Sequence, residues 1–105
     1  MNITRTYLKD LVYQVNGAAI EVHKNLGPGL LESVYHQCLK KELELRNIKY
    51  LSEFLIPLNY KSYELESNMN LLNAPIGLLI NFNVKNIYYE GQKTIVNELY
   101  RRLED

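Results

Sequence analysis

A helical periodicity that stops at Gly27-Pro28-Gly29 constrains this chain more than any other feature. Before that point Leu8, Leu11, Val12, Val15, Ala18, Ala19, Val22 and Leu26 recur at three- and four-residue steps, the stripe of an amphipathic helix from about Thr4 to Asn25. Gly27 can take the left-handed conformation that closes a helix, and Pro28 cannot extend one, so the tripeptide is a stop and a sharp corner. A second helix is expected just beyond it. Leu31, Val34, Tyr35, Cys38 and Leu39 make its expected buried stripe, His36, Lys40, Lys41, Glu42 and Glu44 face water, and Arg46-Asn47 ends it.

From Ile48 the period changes to two. Ile48, Tyr50, Phe54, Ile56, Leu58 and Tyr60 share one face of an expected strand, with Lys49, Glu53, Asn59 and Lys61 opposite. Pro57 lacks a donor for the ladder, which places this strand at an edge or at a bulge. A short returning strand, Tyr63 to Leu65, follows, and Glu66 to Ala74 reads as a loop in which Met69, Leu71 and Leu72 can make one buried turn. Ile76-Gly77-Leu78-Leu79-Ile80 is continuously apolar, as expected of an interior strand covered on both faces. Val84 to Glu90 reads as irregular or a weak strand. Ile95, Val96, Leu99 and Leu103 then suggest a last helix from Gln92 to Arg102. The expected order is α-α-β-β-β-α, a small mixed sheet flanked by helices in one α/β (α+β) domain spanning residues 1–105.

Composition narrows the function classes. A chain of 105 residues, 47% of them hydrophobic, has room for one core and no second domain. Twelve Lys and Arg balance twelve Asp and Glu, so no global field draws the protein to nucleic acid or to an anionic membrane. Cys38 is the only cysteine, which excludes an internal disulfide or a multi-cysteine metal cage and fits a reducing, cytoplasmic setting. Met1 to Asp10 has no continuous apolar stretch, and Ile76 to Ile80 is far too short to span a bilayer, so neither secretion nor membrane insertion is expected.

Chemistry-bearing patterns are few. A phosphate-cradling turn joins a strand to a helix, whereas Gly27-Pro28-Gly29 joins two helices and Pro28 removes a donor. Neither His23 nor His36 has a second His or Cys four residues away, so both are expected to be surface histidines and no metal site is expected. Cys38, on the apolar stripe, is expected to be a buried, inert thiol. Tyr50 and Tyr60 alternate in phase with Phe54, Ile56 and Leu58 and read as packing rather than as a base-stacking platform. Lys40-Lys41 and Arg101-Arg102 read as solvated helix faces. Glu64 and Glu66 would share one side of a strand and have the oxygen chemistry for a divalent cation, although surface carboxylates are the simpler reading.

Gly29-Leu30-Leu31-Glu32-Ser33-Val34-Tyr35 has the form Gly-x-x-Glu-x-x-Tyr and follows Gly17-Ala18-Ala19-Ile20-Glu21-Val22-His23-Lys24-Asn25-Leu26-Gly27-Pro28. Together these resemble the opening of the bacterial GxxExxY protein family, placed among PD-(D/E)XK nuclease-like folds. Ile48 to Tyr60 is similar to that family's first long strand. Gly77-Leu78-Leu79-Ile80-Asn81-Phe82-Asn83-Val84 and Thr94-Ile95-Val96-Asn97 resemble its closing strand and helix. The resemblance implies a restriction-endonuclease-like core and metal-dependent phosphodiester hydrolysis, in which an Asp on one strand and a Glu-x-Lys on the next hold Mg²⁺ and position water.

This chain departs from that pattern. Its only aspartates are Asp10 and Asp105, no Glu-x-Lys occurs, and the nearest variant is Glu44-Leu45-Arg46 on a helix. The stretch resembling the family's core strands is expected to be missing, leaving a reduced core. Of the implied active site only Glu32 carries over, as a vestigial position, with Gly29 and Tyr35 completing the family motif and Tyr35 one turn along on the same helix face. The expectation is a catalytically silent, shortened relative without a cofactor. One alternative is an active nuclease in which Mg²⁺ is held by Glu32, Glu64 and Glu66; another is a small protein-interaction module. An apolar strand stripped of its neighbours invites pairing, so a homodimer is expected, with nucleic acid a partner on resemblance alone.

Overall fold

A computed structural model of the chain describes residues 3–48, 69–70 and 73–105. The first helix, α1 (Arg5–Leu26), starts where Thr4 accepts the Tyr7 amide at its Oγ1, 3.1 Å away, and ends at Gly27, whose φ of +69° is one that glycine allows but whose ψ of −177° is extended, so the left-handed helical closure expected of it is not the conformation it takes. At 1.5 Å per residue it is about 33 Å long. The second helix, α2 (Glu32–Leu45), lies against it and closes at Arg46, followed by Asn47 in the left-handed region at φ +58°. Ala18 and Ala19 are fully buried in the core that also contains Val22, Tyr35, Leu39, Leu43 and Ile48.

The buried residues of α2 are Tyr35, Leu39 and Leu43, at four-residue steps. The expected stripe therefore needs correction: Leu31 precedes the helix and is 75% exposed, Val34 is exposed and Cys38 is half-buried. His23, His36, Lys40 and Glu42 are also half-buried rather than fully on the surface. Apolarity at positions 31 and 34 satisfies a helical spacing without satisfying the angle at which α2 meets the core.

Strands β1 (Ile76–Ile80) and β2 (Gln92–Val96) pair antiparallel, with Ile76 opposite Val96 and Ile80 opposite Gln92. Between them runs a connection containing the one-turn helix α3 (Ile87–Glu90), and the last helix, α4 (Glu98–Arg101), follows β2 directly. Ile80, Phe82 and Ile87 carry this part into the core shared with α1 and α2. The fold is a small α+β arrangement, as the sequence implies, but its last third is ordered differently. Gln92 to Val96 is a strand and not the first half of a helix, because Thr94, Ile95 and Val96 are β-branched and Asn97 supplies the cap at which a helix can start. The stretch Val84 to Glu90 contains α3 and no strand. Ile76 to Leu79 are half-buried rather than covered on both faces, since a continuous apolar run reports hydrophobicity and not the number of layers over it. Apart from Ile48, the strands expected at Ile48 to Tyr60 and Tyr63 to Leu65, and most of the loop from Glu66 to Ala74, lie outside the described residues. Met69 and Asn70 are helical there, with Met69 buried.

Candidate functional site at the helix corner

The motif residues meet at the corner between α1 and α2. Gly27 and Gly29 both have positive φ, +69° and +97°, with open space where a Cβ would stand. Glycine is needed here for backbone conformation rather than for room, and an L-residue costs about 1–2 kcal/mol at each position. The Gly27 amide donates back to the His23 carbonyl at 2.8 Å.

Tyr35 closes the corner from inside. Its side chain is 1% exposed, and its hydroxyl donates to the Gly27 carbonyl at 2.6 Å while accepting the Leu30 amide at 3.1 Å. A phenol is both donor and acceptor, so one atom satisfies two backbone groups that the tight turn would leave without helical partners. The ring lies flat on Phe82, centroids 4.7 Å apart and planes within 4°. The next residue, Asn83, accepts the Gly29 amide at 2.7 Å, and the Val84 carbonyl accepts from His23 Nε2 at 2.7 Å. A carbonyl only accepts, so the His23 proton sits on Nε2.

Glu32 occupies the first turn of α2, where the helix dipole favours a negative charge, and its side chain is exposed. It starts the helix one turn before Tyr35, yet Tyr35 turns into the core and Glu32 into solvent, so the two do not form one surface. Asp10 is exposed on α1 and takes a 2.7 Å hydrogen bond from Gln14; Asp105 pairs with Arg5 at 3.7 Å. Glu44-Leu45-Arg46 lies at the end of α2, where Arg46 pairs with Glu42 at 3.0 Å. Among the described residues no group of three or more His, Cys, Asp or Glu is placed to hold a metal ion. Glu64 and Glu66 lie outside the described residues, as do Tyr50 and Tyr60. No helix of the described residues is long and apolar enough to cross a membrane.

The spacing of Gly29, Glu32 and Tyr35 is visible in the sequence. Phe82, Asn83 and the His23–Val84 contact are not, because each lies some fifty or more residues from the corner it completes. A weak signal exists in the two asparagines, Asn81 and Asn83, that flank Phe82 just after an apolar strand.

No curated protein and no solved structure gave a match to the chain. The model of the PD-(D/E)XK nuclease superfamily matches residues 9–71, which takes in α1 from Lys9 onward, the corner, Glu32, Tyr35 and all of α2. With more than half of its length matched, the chain belongs to the PD-(D/E)XK nuclease superfamily.

Proposed function

We propose that this chain is a catalytically silent, single-domain member of the superfamily, of the GxxExxY kind, that has lost the strands carrying the Asp and the Glu-x-Lys. The observation that carries this reading is the position of Asp10, the only aspartate within the matched residues 9–71. It stands exposed on α1 and bonded to Gln14, not on a strand beside a second carboxylate. Mg²⁺ is held by one or two carboxylates together with substrate oxygens and water, and an exposed Glu32 by itself does not make such a clamp. Glu32 then serves the start of α2 through the helix dipole, as a vestige of the site position. The setting that goes with this reading is the bacterial cytoplasm, in keeping with the lone Cys38.

The expected result is that clean wild-type protein leaves single- and double-stranded DNA intact in Mg²⁺ and in Mn²⁺. Metal-dependent cleavage that vanishes in Glu32→Ala would instead establish the active-nuclease reading, with Glu64 and Glu66 as further ligands. The chain is further proposed to act as a homodimer. Support comes from the half-buried apolar residues Ile76 to Leu79 in a sheet that has two strands among the described residues, and from exposed Leu31 and Leu45. Light scattering at micromolar concentration is expected to return twice the 12.3 kDa chain mass; the mass of one chain rejects the dimer.

A further inference from the structure

Three consecutive residues, Phe82, Asn83 and Val84, each grip a different part of the corner: Phe82 the Tyr35 ring, Asn83 the Gly29 amide, and Val84 the His23 imidazole. The contacts are chemically unlike one another but mechanically linked. Tyr35 cannot leave Phe82 without stripping Gly27 and Leu30 of the hydroxyl that satisfies both. Asn83 is held in place in turn by its own amide, which donates to Asn81 Oδ1 at 2.9 Å. Asn81 is tied to the β-hairpin by its amide bond to the Gly91 carbonyl at 2.7 Å. A chain of contacts therefore runs from the start of α2 through the corner to Gly91, the residue before β2.

We propose that the corner and residues 82–84 form a single cooperative clasp, opening and closing as one unit, which couples the Glu32-bearing start of α2 to the C-terminal β-hairpin. Closed, it fixes where Glu32 stands; open, it exposes the flat Tyr35–Phe82 pair and frees two glycines whose backbone then has no reason to remain left-handed. The burial of Tyr35 makes such an element two-state, because a half-open clasp leaves its hydroxyl without the two backbone partners that satisfy it.

Amide hydrogen exchange tests the clasp, since an amide protected by a cooperative opening exchanges in proportion to the open population. Tyr35→Phe keeps the ring stack and removes two bonds, which raises the open population about five- to tenfold. The amide to read is that of Gly29, whose acceptor on Asn83 is untouched by the change. The reciprocal variant, Asn83→Ala, is read at the Leu30 amide, whose acceptor on Tyr35 is likewise untouched. The expected result is a similar acceleration at both reporters, with the buried Ala18 and Ala19 amides in the middle of α1 unchanged. Acceleration confined to the amide that lost its own acceptor shows independent contacts and overturns the proposal. Equal acceleration at Ala18 and Ala19 shows global unfolding and overturns it as well. Asn83 is exposed, so Asn83→Ala retains the fold even where Tyr35→Phe does not, and the Leu30 response then decides alone.

Discussion

Asn97 is 5% exposed, and both polar ends of its side chain are engaged. Its Oδ1 accepts the Leu99 and Tyr100 amides at 3.1 and 3.3 Å, capping α4, while its Nδ2 donates to the Ala74 carbonyl at 2.8 Å and to Asn70 Oδ1 at 3.2 Å. One amide thus starts a helix and ties it to Asn70 and Ala74, because a side-chain amide carries both donors and an acceptor on one short planar group. Asn97→Ala is expected to destabilise by about 2 kcal/mol, the loss of a cap together with the half-buried Ala74 carbonyl left unpaired, measured as a lowered midpoint in urea at unchanged m. Gly91 is a glycine for a different reason. A Cβ there would stand 2.5 Å from the Asn81 carbonyl oxygen and 2.8 Å from Ile87 Cγ1, so close approach rather than backbone conformation excludes a side chain. Sequence reading at this scale finds Gly29 and Tyr35 by their spacing, but cannot find Asn97, whose partners Asn70 and Ala74 lie more than twenty residues upstream.

Among the elements, α1 follows directly from its sequence. Twenty-two residues with an apolar stripe, a Thr at the cap and Gly-Pro at the end leave few alternatives, and local terms agree with burial throughout. Helix α2 is legible in extent but not in orientation, and the two kinds of apolar residue along it should respond differently to mutation. Leu39, 5% exposed within the core, is expected to cost about 2–5 kcal/mol when changed to Ala. Leu31, 75% exposed, is expected to change stability by less than about 0.5 kcal/mol when changed to Ser. Equal losses in chemical denaturation of the two variants would show that Leu31 is covered in solution, and would point to the second copy of the proposed dimer. Residues 92–102 were open to two periods at once: Ile95, Val96, Leu99 and Leu103 fit a helix, but Ile95 and Val96 also occupy the two sides of a strand that pairs with β1. Pairing with Gly77 and Ile76 decided between them, and that is a long-range interaction.

Across the whole molecule, the two ends of the chain are joined by Arg5. Its amide donates to the Glu104 carbonyl at 2.8 Å, its guanidinium donates to the carbonyls of Tyr100 and Arg101 at the end of α4, and it sits 5.8 Å from the Tyr100 ring centre. A cation at a helix C-terminus answers both the dipole and the unpaired carbonyls there. Arg5→Ala is expected to lower stability by about 1 kcal/mol and to accelerate exchange of the Arg102 and Leu103 amides before any in α2. The sequence by itself determined the helices α1 and α2, the corner between them, the mixed helix-and-strand class and the membership of a nuclease superfamily, because each of these rests on local period, on backbone-restricted residues or on residue identity. Only the tertiary structure decided that Tyr35 faces the core while Glu32 faces water, that residues 82–84 complete the corner, and that Gln92 to Val96 is a strand. Those outcomes depend on partners distant in sequence, and a side chain's spacing along the chain does not specify what will stand opposite it.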